Sequence, residues 1–298
     1  MRDTRERRVG WGILGAAWIA GRAVLPAIEA SRNGHLVAIA SRDLDRAQRM
    51  AAATSAHVSE SYAALLADPE VDAVYIPLTN DVHKEWTLRA LAARKHVLCE
   101  KPLAMNAAEA EEMAAAASSE GMHLMEAFMY RFHPRVREFV DRINDPLHVQ
   151  ASFGFTLDDE SNYRWRAELG GGALLDVGCY TVNVARWILG EPEVVLARAR
   201  MKGVDITVSA LLQFSGGRTA SLWASFESPE EQALTVVTSK DVHRLSTPFS
   251  YMGEADPYRL MVESFGDSVL HDRPVAIPPS ESIANMRVLD RVREALKS

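Results

Sequence analysis

Over its first 128 residues the chain alternates two patterns of apolar positions. Short unbroken apolar runs read as buried strands: RVGWGIL (8–14), HLVAIAS (35–41), VDAVYIPL (71–78), HVLCE (96–100) and HLMEAF (123–128). Between most of them stand stretches with helical spacing: AWIAGRAVLPAIEAS (17–31), DLDRAQRMAAAT (43–54), VHKEWTLRALAAR (82–94) and NAAEAEEMAAAASSEG (106–121). Strand and helix in alternation predict right-handed βαβ units and a mostly parallel sheet, an α/β Rossmann-type domain assigned to residues 1–126. The second half changes. LHVQASFGFTL (147–157), EVVLARARMK (193–202), DITVSALLQFSG (205–216), RTASLWASFE (218–227) and QALTVVTSK (232–240) are strand-like runs separated by polar or glycine-containing turns. One long helix is expected after Gly172, and a last one over PSESIANMRVLDRVREAL (279–296). This predicts an α+β domain, residues 127–298, built on an open, mostly antiparallel sheet with one face covered by helix.

Composition narrows the function classes. With 298 residues at 48% hydrophobic, the chain can bury the cores of about two domains. A net charge of −7 and a pI near 5.8 give none of the basic footprint that nucleic acid demands. Two cysteines, Cys99 and Cys179, are too few for a disulfide framework or a Cys-rich metal site, so a reducing, cytoplasmic location and no metal are expected. The RERR stretch (5–8) ahead of an apolar run resembles the start of a secretion signal, but Arg22 interrupts the run and cleavage would delete the first strand. No segment reaches the ~18 uncharged apolar residues of a membrane span, so no membrane partner is expected.

The segment GILGAAWIAG (12–21) is the first strand-to-helix turn. A dinucleotide fingerprint would read GxGxxG, whereas Gly15 to Ala20 reads GAAWIA. Alanine is tolerated at the third position. Ala17 at the second sets the backbone slightly further from a pyrophosphate, which the helix N-terminus can still meet with N–H groups. Gly15, Ala16, Ala17, Trp18 and Ile19 are thus candidate cofactor contacts. After the second strand, Ser41 and Arg42 occupy the place where NAD sites carry an acid. A guanidinium there suits a 2′-phosphate, while Asp43 could reach a ribose, so NADP is favoured with NAD possible.

Three further stretches, IPLTNDVH (76–83), CEKPLAM (99–105) and GGGALLDVGCYTVN (170–183), join EAFMYRFHP (126–134) at the hand-over between halves. Together they resemble the glucose–fructose oxidoreductase / inositol dehydrogenase / rhizopine catabolism (Gfo/Idh/MocA) family of nicotinamide enzymes, across almost the full chain. Tyr180 resembles the branch holding glucose–fructose oxidoreductase, sugar dehydrogenases such as xylose dehydrogenase, and dimeric dihydrodiol dehydrogenase; many other members carry histidine there. The resemblance implies further cofactor contacts from Leu78, Thr79, Asn80, His83, Glu100, Lys101 and Arg164, with Lys101 also touching substrate. It implies hydride transfer between a nicotinamide and a secondary alcohol or ketone, or an aldose C1, of a sugar or similar polyol, in a homodimer. A trans-dihydrodiol dehydrogenase and a non-catalytic nucleotide-binding sensor or scaffold remain as alternatives.

The residue types make chemical sense. Removing a hydroxyl proton as hydride departs needs a positioned base. Tyr180 can supply it if an adjacent Lys101 ammonium draws its pKa down from about 10. Lys101 ends a strand, where open α/β sheets bind ligands, and Pro102 allows a cis peptide that aims it into the cleft. Asp176 and Tyr180, four apart, share a helix face; Asp176 is expected to hold a substrate hydroxyl or Lys101, or else simply to face the helix dipole. Two departures stand out. Asn183 replaces a carboxylate found in many histidine-type relatives, and the join between STPFSYMG (246–253) and DPYRLMVE (256–263) lacks a usual hairpin, which bears on sheet size and dimer.

Overall fold

Strand β1 (Val9–Leu14) is buried at every position because it lies inside a six-stranded sheet, covered on both faces. In the computed structural model, which describes residues 7–250 and 253–297, this sheet also contains β2 (Gly34–Ala40), β3 (His57–Ser59), β4 (Ala73–Ile76), β5 (His96–Cys99) and β6 (Leu124–Glu126). All pairs are parallel and the order is β3-β2-β1-β4-β5-β6. The order reverses between β1 and β4, which opens a crevice at their C-terminal ends. The apolar run that also read as part of a secretion signal is the central strand; Arg5 and Glu6 of the RERR stretch lie outside the described residues.

In the first half the helices follow the sequence with two exceptions. The first was expected as one α-helix from residue 17. Instead a wide π turn (Ala20–Val24) leads into α1 (Leu25–Ala30). Pro26 offers no N–H to the carbonyl four residues back, so the chain widens there. After α2 (Leu44–Ala51), a segment to which no element was assigned holds β3 and α3 (Tyr62–Ala67), the latter capped by Ser61 accepting from Ala64 N at 3.0 Å. α4 (His83–Ala92) and α5 (Ala107–Glu120) complete the first half.

The second sheet has the order β12-β11-β7-β10-β9-β8, from β7 (Pro146–Thr156), β8 (Pro192–Lys202), β9 (Val204–Phe214), β10 (Thr219–Ser225), β11 (Glu227–Thr238) and β12 (Val242–Ser246). Only β7 and β10 pair in parallel, so the sheet is mostly antiparallel, as expected. α7 (Cys179–Leu189) and α9 (Pro279–Ala295) pack against one face. α6 (Pro134–Asp141) and α8 (Pro257–His271) were not foreseen as helices; Asp256 caps α8 by accepting from Tyr258 N at 2.9 Å. Tyr251 and Met252 of the short join before α8 lie outside the described residues. The two halves are tied beside the loop after β5: Ala107 N donates to Asp290 at 2.8 Å, and Arg293 donates to Met105 O at 2.6 Å.

Candidate active site

β5 delivers Glu100 and Lys101 to the C-terminal edge of the first sheet, and the Lys101–Pro102 peptide is cis. Lys101 Nζ donates to Asp176 O at 2.7 Å and to Asp176 Oδ1 at 3.1 Å. Arg164 Nε donates to the other carboxylate oxygen, Oδ2, at 2.6 Å. The same ammonium stands 5.1 Å from the centre of the Tyr180 ring. Lys101, Asp176 and Tyr180 are therefore brought together. Arg164, expected to reach the cofactor, has its Nε committed to the aspartate.

The glycine triplet explains how Asp176 gets there. Gly170 (φ +79°) and Gly172 (φ +105°) adopt backbone conformations that L side chains rarely occupy. A Cβ on Gly172 would collide with Asp205 Oδ1, and one on Gly170 would meet Asn80 Cβ at 2.6 Å. Asp205, near the start of β9, accepts from Leu174 N at 2.6 Å and so holds the π turn (Leu174–Gly178) that carries Asp176. Burial pushes the Asp205 carboxyl up to about 6. Sequence reading missed Asp205, since an acid opening a strand gives no hint of a partner thirty residues earlier.

The electrostatics separate the three central groups. Burial alone would lower the Lys101 pKa, but Asp176 and Tyr180 outweigh it and hold it well above the ordinary lysine value. Burial would raise Asp176, yet Lys101 and Arg164 bring it down to about 2. Tyr180 goes the other way. Burial pushes its phenol well above 10 and the pull of Lys101 does not reverse this, so the expected net lowering is absent. The cause is its wall: Phe128, Phe153, Phe249 and Tyr130 all place ring centroids within 5.6 Å of it. The site rests with a charged lysine, an ionised aspartate and a neutral phenol.

On the cofactor side, Gly15 turns sharply (φ +124°), and a Cβ there would strike Leu78 Cδ2 at 2.7 Å, across the crevice between β1 and β4. Ala16 is buried, Ala17 and Ile19 are half-buried, and Trp18 is 74% exposed. Ser41 Oγ accepts from Asp43 N at 3.1 Å, and Asp43 Oδ1 caps α2 by accepting from Arg46 N at 3.0 Å. Asp43 is thus occupied at a helix end while Arg42 is exposed. Leu78 and Thr79 line the loop after β4. Asn80 Nδ2 donates to Gly170 O at 2.8 Å, and His83 is fully buried with Nδ1 3.0 Å from Pro102 O and Nε2 3.0 Å from Leu78 O. Both His83 nitrogens face backbone carbonyls, which makes it a strut between the two loops. Glu100 accepts from Tyr75 OH at 2.6 Å, a partner the sequence did not disclose, and burial raises its pKa. Asn183 accepts from Tyr130 OH at 2.5 Å, and among the described residues no cluster of His, Cys, Asp or Glu is arranged to hold a metal.

A parallel sheet ordered about a β1/β4 switch point, with a lysine, an aspartate and a tyrosine gathered beside it, defines a two-sheet Rossmann-type protein with a buried polar cluster at its strand ends. The chain belongs to the Gfo/Idh/MocA family: residues 9–128 match its oxidoreductase family, NAD-binding Rossmann fold, and residues 133–242 match its GFO/IDH/MocA C-terminal domain. It is 37% identical over 317 residues to a D-xylose 1-dehydrogenase (NADP(+)) of Haloferax volcanii, covering 97% of each chain. It is 37% identical over 227 residues to trans-1,2-dihydrobenzene-1,2-diol dehydrogenase of Xenopus laevis, covering 71% of this chain and 67% of that one. The crystal structure of KijD10, a 3-ketoreductase from Actinomadura kijaniata in complex with NADP and TDP-benzene, superimposes with a TM-score of 0.88 at 31% identity, covering 97% of this chain and 98% of that one. The family resemblance read from the motifs is therefore correct.

Proposed function

We propose that the protein is an NADP(H)-dependent oxidoreductase that moves a hydride between the nicotinamide and a secondary alcohol or ketone, or an aldose C1, of a sugar or similar polyhydroxylated molecule. The observation that carries this is the Lys101 ammonium, fixed on Asp176 and over Tyr180 at the strand end that faces the crevice. The residues present fit the cofactor. The Gly15 turn would approach a pyrophosphate, and exposed Arg42 would take the 2′-phosphate, because Asp43 is held at the start of α2. The named cofactor of the Haloferax relative and the NADP in the KijD10 crystal support the same choice.

NADP(H), when bound, supplies the hydride acceptor or donor. Lys101 has three N–H donors, and its two hydrogen bonds to Asp176 leave one for the reacting oxygen. Tyr180 rests protonated, so in the reducing direction it hands its proton to that oxygen, and in the oxidising direction it takes the proton back. Lys101 favours phenolate and eases the proton's departure. Asp176 holds Lys101 and Arg164 in place and offers its remaining lone pairs to a neighbouring hydroxyl.

The test is a substrate panel with NADP and NAD, read at the nicotinamide absorbance: D-xylose and other aldoses, a dTDP-linked keto sugar, and a trans-dihydrodiol. Turnover of a sugar supports the reading. The aromatic wall around Tyr180 and the likeness to the Xenopus enzyme favour a cyclic diol as the second reading, and turnover of the dihydrodiol alone would select it. NADPH binding by fluorescence with no turnover of any member would leave a nucleotide-binding sensor.

The reading extends to assembly. The open face of the second sheet exposes Leu196 (59%) and Leu211 (44%) around a depression of 640 Å³ that Trp223 also lines, and a second copy's identical face is the proposed cover. Light scattering at micromolar concentration should give a dimer; a monomer would remove it. Both cysteines are free and buried, which suits a reducing cytoplasm. Among the described residues no helix is long and apolar enough to cross a membrane.

A further inference from the structure

Lys101 is held in front by Asp176, but the peptide that follows it is gripped from behind. Leu103 N donates to Glu126 Oε1 at 2.9 Å, in a fully buried pair at the C-terminal ends of neighbouring strands β5 and β6. Glu126 is only 1% exposed, and its second oxygen, Oε2, is buried with no hydrogen-bond partner. Glu100 and Cys99 face it from the end of β5, Tyr130 from the turn after β6, Cys179 and Arg186 from α7, and the Ser282 hydroxyl from α9. Among the described residues it forms no ion pair of 4.0 Å or closer; the Arg186 guanidinium is engaged by Glu191 and by the Glu281 carbonyl.

A buried carboxyl with one amide donor and no close cation is costly, and an apolar side chain of similar volume would cost less. What it gains is control of one backbone N–H two residues beyond Lys101. We infer that Glu126 is a positioning residue for the reaction: by holding Leu103 N–H it fixes the loop from Lys101 to Met105, and so keeps the Lys101 ammonium on Asp176 and over Tyr180. The inference rests on the reading of Lys101 as a working residue. Burial raises the Glu126 carboxyl to about 7, against the Ser282 hydroxyl and Leu103 N–H, with Glu100 adding to the rise and Arg186 opposing it. Its grip on Leu103 therefore strengthens as pH rises through neutrality, because an ionised acceptor makes the stronger hydrogen bond.

The experiment compares the full-length wild type, Glu126→Ala and Glu126→Gln. Amide hydrogen exchange of the cofactor-free chain, followed by mass spectrometry, should show the peptide spanning residues 101–105 exchanging about tenfold faster in Glu126→Ala, since a hydrogen bond of this kind is worth about a factor of ten. Glu126→Gln, which keeps an acceptor oxygen, should remain near wild type, and peptides from β9 and β10 should not change. On whichever panel substrate turns over, kcat should fall about tenfold in Glu126→Ala with KM for NADP within about twofold. Glu126→Gln should restore kcat and flatten the limb of the pH profile near 7. Wild-type exchange in Glu126→Ala, or equal defects in Ala and Gln, overturns the inference. Should Glu126→Ala not fold, a limb near 7 that persists unchanged in Glu126→Gln overturns it instead. Lys101→Ala is the control for the underlying reading: full activity there sinks the role of Lys101, while the exchange result still reports on the Glu126 contact.

Discussion

The two ends of the crevice are built on opposite terms. At the chemical end, Lys101, Asp176, Arg164 and Tyr180 are buried and bonded to one another, and each sets the charge state of the next. At the end proposed for the adenosine, Arg42 and Asp43 lie on the surface: Ser41 and Asp43 bond within their own turn, and Arg42 reaches only the neighbouring Tyr62 hydroxyl. A change at the interlocked end should spread to rate, charge and stability together. One at the open end should stay where it is made. The contrast repeats inside the chemical end: Asp176 and Glu126 are both buried carboxyls, yet one sits at about 2 and the other at about 7. Two cations account for Asp176. The Ser282 hydroxyl and the Leu103 amide, with Arg186 acting from a distance, cannot do the same for Glu126.

The hardest test of interlocking is Lys101→Ala. It removes the donor proposed for the reacting oxygen and leaves Asp176 balanced by Arg164 alone, so turnover is expected to fall by about 10⁴, with weakened NADP binding and a loss of stability. Tyr180→Phe removes only a hydroxyl and keeps the ring among its aromatic neighbours. It should cost about 10²–10⁴ in kcat and leave NADP affinity and melting temperature nearly unchanged. Steady-state kinetics with calorimetry separates the two. If Tyr180→Phe keeps full activity and an unchanged pH profile, the proton must move through Lys101 or water.

Much of this architecture could be read from the chain because the informative segments are long or sharply patterned. The strand–helix alternation to residue 128 gave the parallel sheet, and the long runs after 146 gave the second one. β3 and α3 escaped because three and six residues are too few to show a period. In the site, Lys101, Asp176 and Tyr180 could be found from strand-end position, helical spacing and motif likeness. Their states could not. The burial that keeps Tyr180 protonated comes from Phe128, Tyr130, Phe153 and Phe249, which only the tertiary fold brings together. Asp205 and Glu126 act on backbone N–H groups of Leu174 and Leu103, distant in sequence, and a backbone donor has no letter in the sequence.

Glu126→Gln tests the contrast between the two buried carboxyls through stability against pH. With a folded value of about 7, above the ~4.3 of an exposed glutamate, Glu126 contributes stability that is complete below about pH 4 and lost as pH rises through 7. At pH 8 the wild type should carry a penalty of about 4 kcal/mol that the neutral amide escapes. The variant should then melt roughly 4–8 °C above the wild type at pH 8, and the gap should close towards pH 5. Asp176 runs the other way: its contribution is present above the ~3.9 of an exposed aspartate and is lost as pH falls towards 2. A gap that does not vary between pH 5 and 8 would mean that Glu126 does not titrate there.

The smallest effect belongs at the open end. Arg42 is exposed, and Asp43 beside it is turned to the start of α2, so nothing acidic competes with a 2′-phosphate for the guanidinium. Arg42→Ala should weaken NADP by about tenfold and leave NAD unchanged, because only NADP carries the phosphate that forms the charge-assisted fork. Neither kcat nor melting temperature should move, since no described contact of the buried group passes through this side chain. The discrimination should also shrink as salt is added, because an exposed ion pair is screened over about 10 Å at 0.1 M, while the Lys101–Asp176 contact is shielded by burial. Titrations of both cofactors by NAD(P)H fluorescence at two ionic strengths measure this directly. Equal weakening of NAD and NADP would remove Arg42 as the selector; a concurrent loss of kcat would show that the two ends of the crevice are coupled after all.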